Sequence, residues 1–90
     1  MKVFQSSSFG KKVKKFKLKE ILRLDKAVRE IIEDPSIGTE KKGDLKGIFV
    51  HKFKISKNVF LLTYRVIGDD IELITIGLHE NYYRDLKSYL

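Results

Sequence analysis

Residues 48–78, IFVHKFKISKNVFLLTYRVIGDDIELITIGL, decide the fold. Apolar side chains recur there with period two, the spacing of a strand, and two short polar breaks interrupt them. In the first segment, 48–55, Phe49, His51, Phe53 and Ile55 share one face, and Ile48, Val50, Lys52 and Lys54 share the other. Ser56-Lys57-Asn58 reads as a turn. In the second segment, 59–67, Phe60, Leu62, Tyr64 and Val66 form the core side, and Leu61, Thr63 and Arg65 the opposite side. Gly68-Asp69-Asp70 supplies turn chemistry for a hairpin. The third segment, 71–78, is apolar on both faces, as expected of a central strand, and Gly77 ends it. Three strands joined by tight turns make an antiparallel meander.

Outward from the meander the period changes. Residues 35–47, PSIGTEKKGDLKG, are a polar loop with three glycines. Before it, Leu18, Ile21, Leu22, Val28, Ile31 and Ile32 form a helical stripe, interrupted by Asp25. Asp34-Pro35 stops that helix, because a residue before proline disfavours helical backbone. Phe9, Val13 and Phe16 mark one face of an earlier helix, with Ser7 or Ser8 as its cap. Residues 2–6 read as a short strand. Residues 79–90, HENYYRDLKSYL, suit a terminal helix with Tyr82, Leu86 and Tyr89 or Leu90 inward. The expected fold is α+β, in the order β-α-α-β-β-β-α, with a helical hairpin packed on a small antiparallel sheet. At 90 residues the chain, 1–90, is one domain.

Charge narrows the function classes. The chain carries 19 basic and 12 acidic side chains. Residues 1–57 hold 16 of the basic and 7 of the acidic groups. Lys11, Lys12, Lys14, Lys15, Lys17 and Lys19 fall within nine residues that contain no acid. Such a run suits a polyanion, nucleic acid above all, or else a solvated helix face. With no cysteine there is no disulfide framework and no thiol nucleophile. No apolar run is long enough to span a bilayer, and no signal-peptide segment opens the sequence, so a cytoplasmic protein without a membrane partner is expected.

Motifs for nucleotide, zinc or calcium binding are absent from the sequence. His51 and His79 lack carboxylates at a metal-binding spacing, so neither metal nor cofactor is expected. What remains is a polar set in the second half. Lys52 and Lys54 share a strand face, Arg65 lies on the next strand, and His79 follows the last one with Tyr82 and Tyr83 behind it. Phosphodiester cleavage asks for a base, an acid and cations to hold the phosphate. Histidine is the usual proton carrier near neutral pH, and an exposed tyrosine stacks on a base. Each residue also has a plain structural role open to it: a turn histidine, an arginine paired with Asp69 or Asp70, edge-strand lysines. His51 reads as structural, and Glu80 as a first-turn charge.

Taken together, GDLKG (43–47), HKFKIS (51–56), LLTYRVIGDD (61–70) and ITIGLHENYYRDLK (74–87) resemble the RelE/ParE superfamily of bacterial type II toxins. The resemblance implies a small basic toxin neutralised by a small, acidic, partly disordered antitoxin. RelE-like members cleave mRNA at the ribosome, and ParE-like members poison DNA gyrase, which stays the alternative. For the nuclease case it implies a catalytic set of Lys52, Lys54, Arg65, His79 and Tyr83, with Lys11, Lys12, Lys14, Lys15 and Lys46 gripping RNA. The pattern departs from RelE at Leu61, where RelE carries an arginine. It departs from the YafQ-like nucleases at Ile55 and Val59, where they carry a His and an Asp.

Overall fold

The structure, a computed structural model, describes residues 2–79. The elements are β1 (Val3–Gln5), α1 (Ser7–Val13), α2 (Leu18–Glu33), β2 (Thr39–Glu40), β3 (Ile48–Ile55), β4 (Asn58–Ile67) and β5 (Asp70–Leu78), with a 3-10 turn at Gly43–Leu45. They build one five-stranded sheet in the order β1-β5-β4-β3-β2. The meander β3-β4-β5 is antiparallel as expected. The sheet as a whole is not: β1 runs parallel to β5, Val3 beside Ile71. The expected loop 35–47 also contains a strand. Thr39 and Glu40 pair antiparallel with Val50 and Phe49. Two residues are too few to show a period, which is why the loop reads as featureless. The terminal helix expected at 79–90 lies outside the described residues.

Local chemistry explains the starts and stops. Ser6, not Ser7 or Ser8, caps α1, its hydroxyl accepting from the Phe9 N–H at 3.0 Å. The same hydroxyl donates to the Ile74 carbonyl, and the Ser6 N–H donates to the Leu73 carbonyl, so the cap is sewn to β5. α1 ends at Val13, and Phe16 reaches the core from the connecting segment. Glu20 accepts from the Lys17 N–H at 2.8 Å and closes the first turn of α2. At the far end, Asp34 takes the N–H and hydroxyl of Ser36 and turns the chain.

The core lies between the helices and one face of the sheet. Phe9, Leu24, Ala27 and Ile31 meet Phe53, Ile55, Phe60, Leu62, Tyr64, Ile71, Leu73 and Ile76. The inward stripe of α2 is therefore Leu24-Ala27-Val28-Ile31, at i, i+3, i+4, i+7. It differs from the expected stripe: Leu18 is 72% exposed and Leu22 62%, and Ile21 and Ile32 are also exposed. Asp25 interrupts nothing in the core, since it points to solvent and pairs with Arg29. Val66, expected inward, is exposed near the end of β4. The second face of the sheet is apolar at its centre too, with Ile48, Val50, Leu61, Ile74, Thr63 and Thr75 buried.

One irregularity matters for the site. Between β4 and β5 the register slips: Tyr64 pairs with Leu73, but Thr63 pairs with Thr75. Ile74 is the extra residue of a β-bulge. Before it, odd-numbered residues Ile71 and Leu73 face the core; after it, even-numbered Ile76 and Leu78 do. Residues 75, 77 and 79 are thereby carried to the second face.

Candidate functional site

That phase change brings His79 to the lysines. Along the second face, Lys52 stands opposite Leu61, which stands opposite Gly77. Lys54 stands opposite Val59, in the next row toward the β3–β4 turn. His79 continues β5 in that direction. Unbroken alternation from Ile71 would have turned it toward the core. A cavity of about 350 Å³ opens here, lined by Lys52, Lys57, Asn58, Val59, Leu78 and His79. Lys54 is exposed on the same face. Among the described residues no carboxylate lies within ion-pair distance of Lys52, Lys54 or Lys57. A cluster of cations beside apolar walls attracts an anion, because the low-dielectric surround focuses its field.

Arg65 does not join this group. It lies four residues along β4 from Leu61, about 13 Å at the rise of a strand. Its Nε donates to Glu72 Oε1 at 2.6 Å across the β4–β5 pair, so among the described residues its ion-pair partner is Glu72 rather than Asp69 or Asp70. Tyr83 and Tyr82 lie outside the described residues. His51 sits on the core face, half-buried. Its ring stacks on Phe53 at 5.9 Å, and Nε2 lies 3.6 Å from Glu30 of α2. That position is the structural one expected from the sequence.

The lysines assigned to RNA divide into two regions. Lys11, Lys12 and Lys15 line a second concavity, also about 350 Å³, with Ser7 and Ser8. Ser8 Oγ lies 3.5 Å from Thr75 Oγ1, so this flank of α1 borders the second face of the sheet, on the β5 side. Lys14 is the exposed C-cap residue of α1 and does not line that concavity. Lys46 is at the other edge of the sheet, where it lines a hollow with Glu40, Lys41, Lys42 and Gly43. Glu40 accepts there from the Gly47 N–H at 3.0 Å.

Two cavity residues, Lys57 and Asn58, escape a sequence reading that treats Ser56-Lys57-Asn58 as connection only. A paired register would have shown them: with Ile55 opposite Asn58, the turn sits next to the Lys54–Val59 row. Among the described residues, no three His, Asp or Glu side chains converge. The chemistry on offer is that of cations around an imidazole: anion binding and proton transfer.

Comparison with known proteins bears on the family and the fold. Residues 3–87 match the family model described as ParE-like toxin of type II bacterial toxin-antitoxin system. A chain of the intact E. coli RelBE toxin–antitoxin complex is similar in fold, with 22% identity, a TM-score of 0.67, and coverage of 83% of this chain and 92% of that one. The isolated E. coli RelE toxin gives 22% identity and a TM-score of 0.66 over 98% of this chain and 97% of its own. A free-state mutant of E. coli RelE gives 22% and 0.69 over 98% and 96%. At that identity the likeness is one of fold. No curated protein matches the sequence.

Proposed function

This chain belongs to the ParE-like toxin family of type II bacterial toxin–antitoxin systems, and from that premise we propose that it is an endoribonuclease that arrests growth by cutting mRNA at the ribosome. One observation carries the proposal: Lys52 and His79 wall the same cavity, with Lys54 beside it. RNA brings its own nucleophile, the 2′-hydroxyl, so the protein has to move protons and hold charge. His79 takes the 2′-hydroxyl proton while the O2′–P bond forms. Lys52 and Lys54 stabilise the charge gathering on the non-bridging oxygens. The P–O5′ bond then breaks, and the leaving oxygen takes up a proton. Tyr83 is the residue we assign to that donation. Products are a 2′,3′-cyclic phosphate and a 5′-hydroxyl. Arg65, held by Glu72 at a distance, takes no part. The partner that restrains the toxin is a small acidic antitoxin, partly disordered, which folds over the basic face. The E. coli RelBE toxin–antitoxin complex, similar in fold, supports such a partner.

Controlled expression in a bacterium tests this, with transcript ends mapped minutes after induction. New cuts inside translated mRNAs are expected with wild type. The His79→Ala variant should fold and should cut at least a hundredfold less, the scale of a lost proton carrier. Arrest with intact mRNAs and an induced DNA-damage response would replace the nuclease by the gyrase-directed alternative.

A further inference from the structure

We infer that Lys57, presented by the two-residue turn between β3 and β4, is a third phosphate-binding lysine of this cavity. The inference deepens the nuclease assignment and rests on it. Three observations lead to it. The first is the turn itself. Ile55 pairs with Asn58, so only Ser56 and Lys57 lie between the strands. Ser56 has φ of 55°, and Lys57 does not share that positive sign. That is the pattern of a type II′ hairpin, whose first position normally takes glycine. A serine is held there against its preference, and a two-residue loop so closed fixes the backbone from which Lys57 projects.

The second observation is placement. Lys57 lines the cavity together with Lys52 and His79, and Val59 and Leu78 supply its apolar side. The third is electrostatic. Among the described residues no carboxylate lies within ion-pair distance of Lys57, whereas Arg29 and Arg65 are each answered by a carboxylate. A cavity with Lys52 and Lys57 in its wall, and Lys54 at its rim, carries more positive charge than one phosphodiester neutralises. It fits a strand of RNA entering with the scissile phosphate and a neighbouring one, rather than a lone nucleotide.

The test is a salt titration of binding, with purified protein and a short single-stranded RNA whose 2′-hydroxyls are methylated so that it cannot be cut. For single strands each phosphate contact contributes about 0.7 to the slope of log affinity against log salt. Lys57→Gln should lower that slope by about 0.7 and weaken binding at low salt about tenfold or less, with an unchanged melting temperature. Lys57→Arg should restore the slope. Lys26→Gln, on the exposed side of α2 across the sheet, should leave it unaltered. If Lys52→Gln lowers the slope and Lys57→Gln does not, Lys57 is no contact and the inference falls while the nuclease assignment stands. If wild type shows no salt-dependent binding at all, the nuclease assignment falls and takes Lys57 with it.

Discussion

Tyr64 is fully buried, and its hydroxyl is tolerated there because both of its hydrogen-bonding roles are used. It donates to the Pro35 carbonyl at 2.7 Å and accepts from the Gly38 N–H at 3.0 Å. Its ring stacks on Phe49 at 5.5 Å. The residue thus ties the segment after α2 to the middle of the sheet. Gly38 is the other half of the tie. A β-carbon there would meet Tyr64 Oη at 2.7 Å and the Val50 carbonyl at 3.0 Å. Gly38→Ala should cost about 1–3 kcal/mol in denaturant unfolding. Tyr64→Phe should cost about 1–2 kcal/mol for two groups left unpaired. The double variant should cost clearly less than both together; strict additivity would show that the two residues do not press on each other. Burial, aided by the charge of Asp34 and opposed by the Gly38 N–H, raises the hydroxyl's pKa above 10.0. A group whose folded pKa is raised adds stability that is intact below its unfolded pKa and is lost as pH climbs past it. Wild type should therefore lose its advantage over Tyr64→Phe only above about pH 10. The sequence placed Tyr64 inward from alternation alone. It held no sign of the partner segment, because a contact between residues 26 positions apart leaves no local period.

Helix α2 shows how an element misleads when the strongest hydrophobes are not the buried ones. Leu18, Ile21 and Leu22 look like the start of the core stripe, yet they face solvent. The stripe that packs includes Ala27, which is 0% exposed on a helix that packs against β3. A small buried residue carries almost no hydrophobic signal, so pattern reading passes over it. Ile31→Ala should cost about 2–5 kcal/mol, since it opens a cavity beneath the sheet. Leu22→Ala should stay within about 0.5 kcal/mol. Equal losses in the two variants would mean that the helix is rotated from the position described. Strand β5 gave the opposite lesson. Its ends and its interior place in the sheet follow from composition, but its faces do not. The bulge at Ile74 exchanges them halfway, and an alternation count started at Ile71 sends His79 to the wrong side. Hydrogen-bond register, not side-chain pattern, decides that.

Across the whole molecule the cations that matter gather on one side of the sheet. The cavity lysines stand over β3 and the β3–β4 turn, and Lys11, Lys12 and Lys15 border the same face beyond β5. Two strand spacings and the α1 flank separate them, about 20 Å in all. If the proposed RNA substrate runs across that face, a single strand is long enough to meet both groups. Lys46 stands at the β2–β3 edge beside Glu40, and a carboxylate so near partly cancels its field. The sequence grouped all five lysines as one RNA grip because charge has no period and composition has no direction; only the sheet order separates them. Changing Lys11 and Lys15, both exposed, together to Gln should lower the salt slope of RNA binding by about 1.4, the sum of two single-strand contacts. Lys46→Gln should lower it by less than one contact. Rates of cutting by a saturated enzyme should change little in that double variant, because its two lysines would hold the strand away from the reacting phosphate. A double variant with an unaltered slope would confine binding to the cavity itself, and the α1 flank would then be a solvated face.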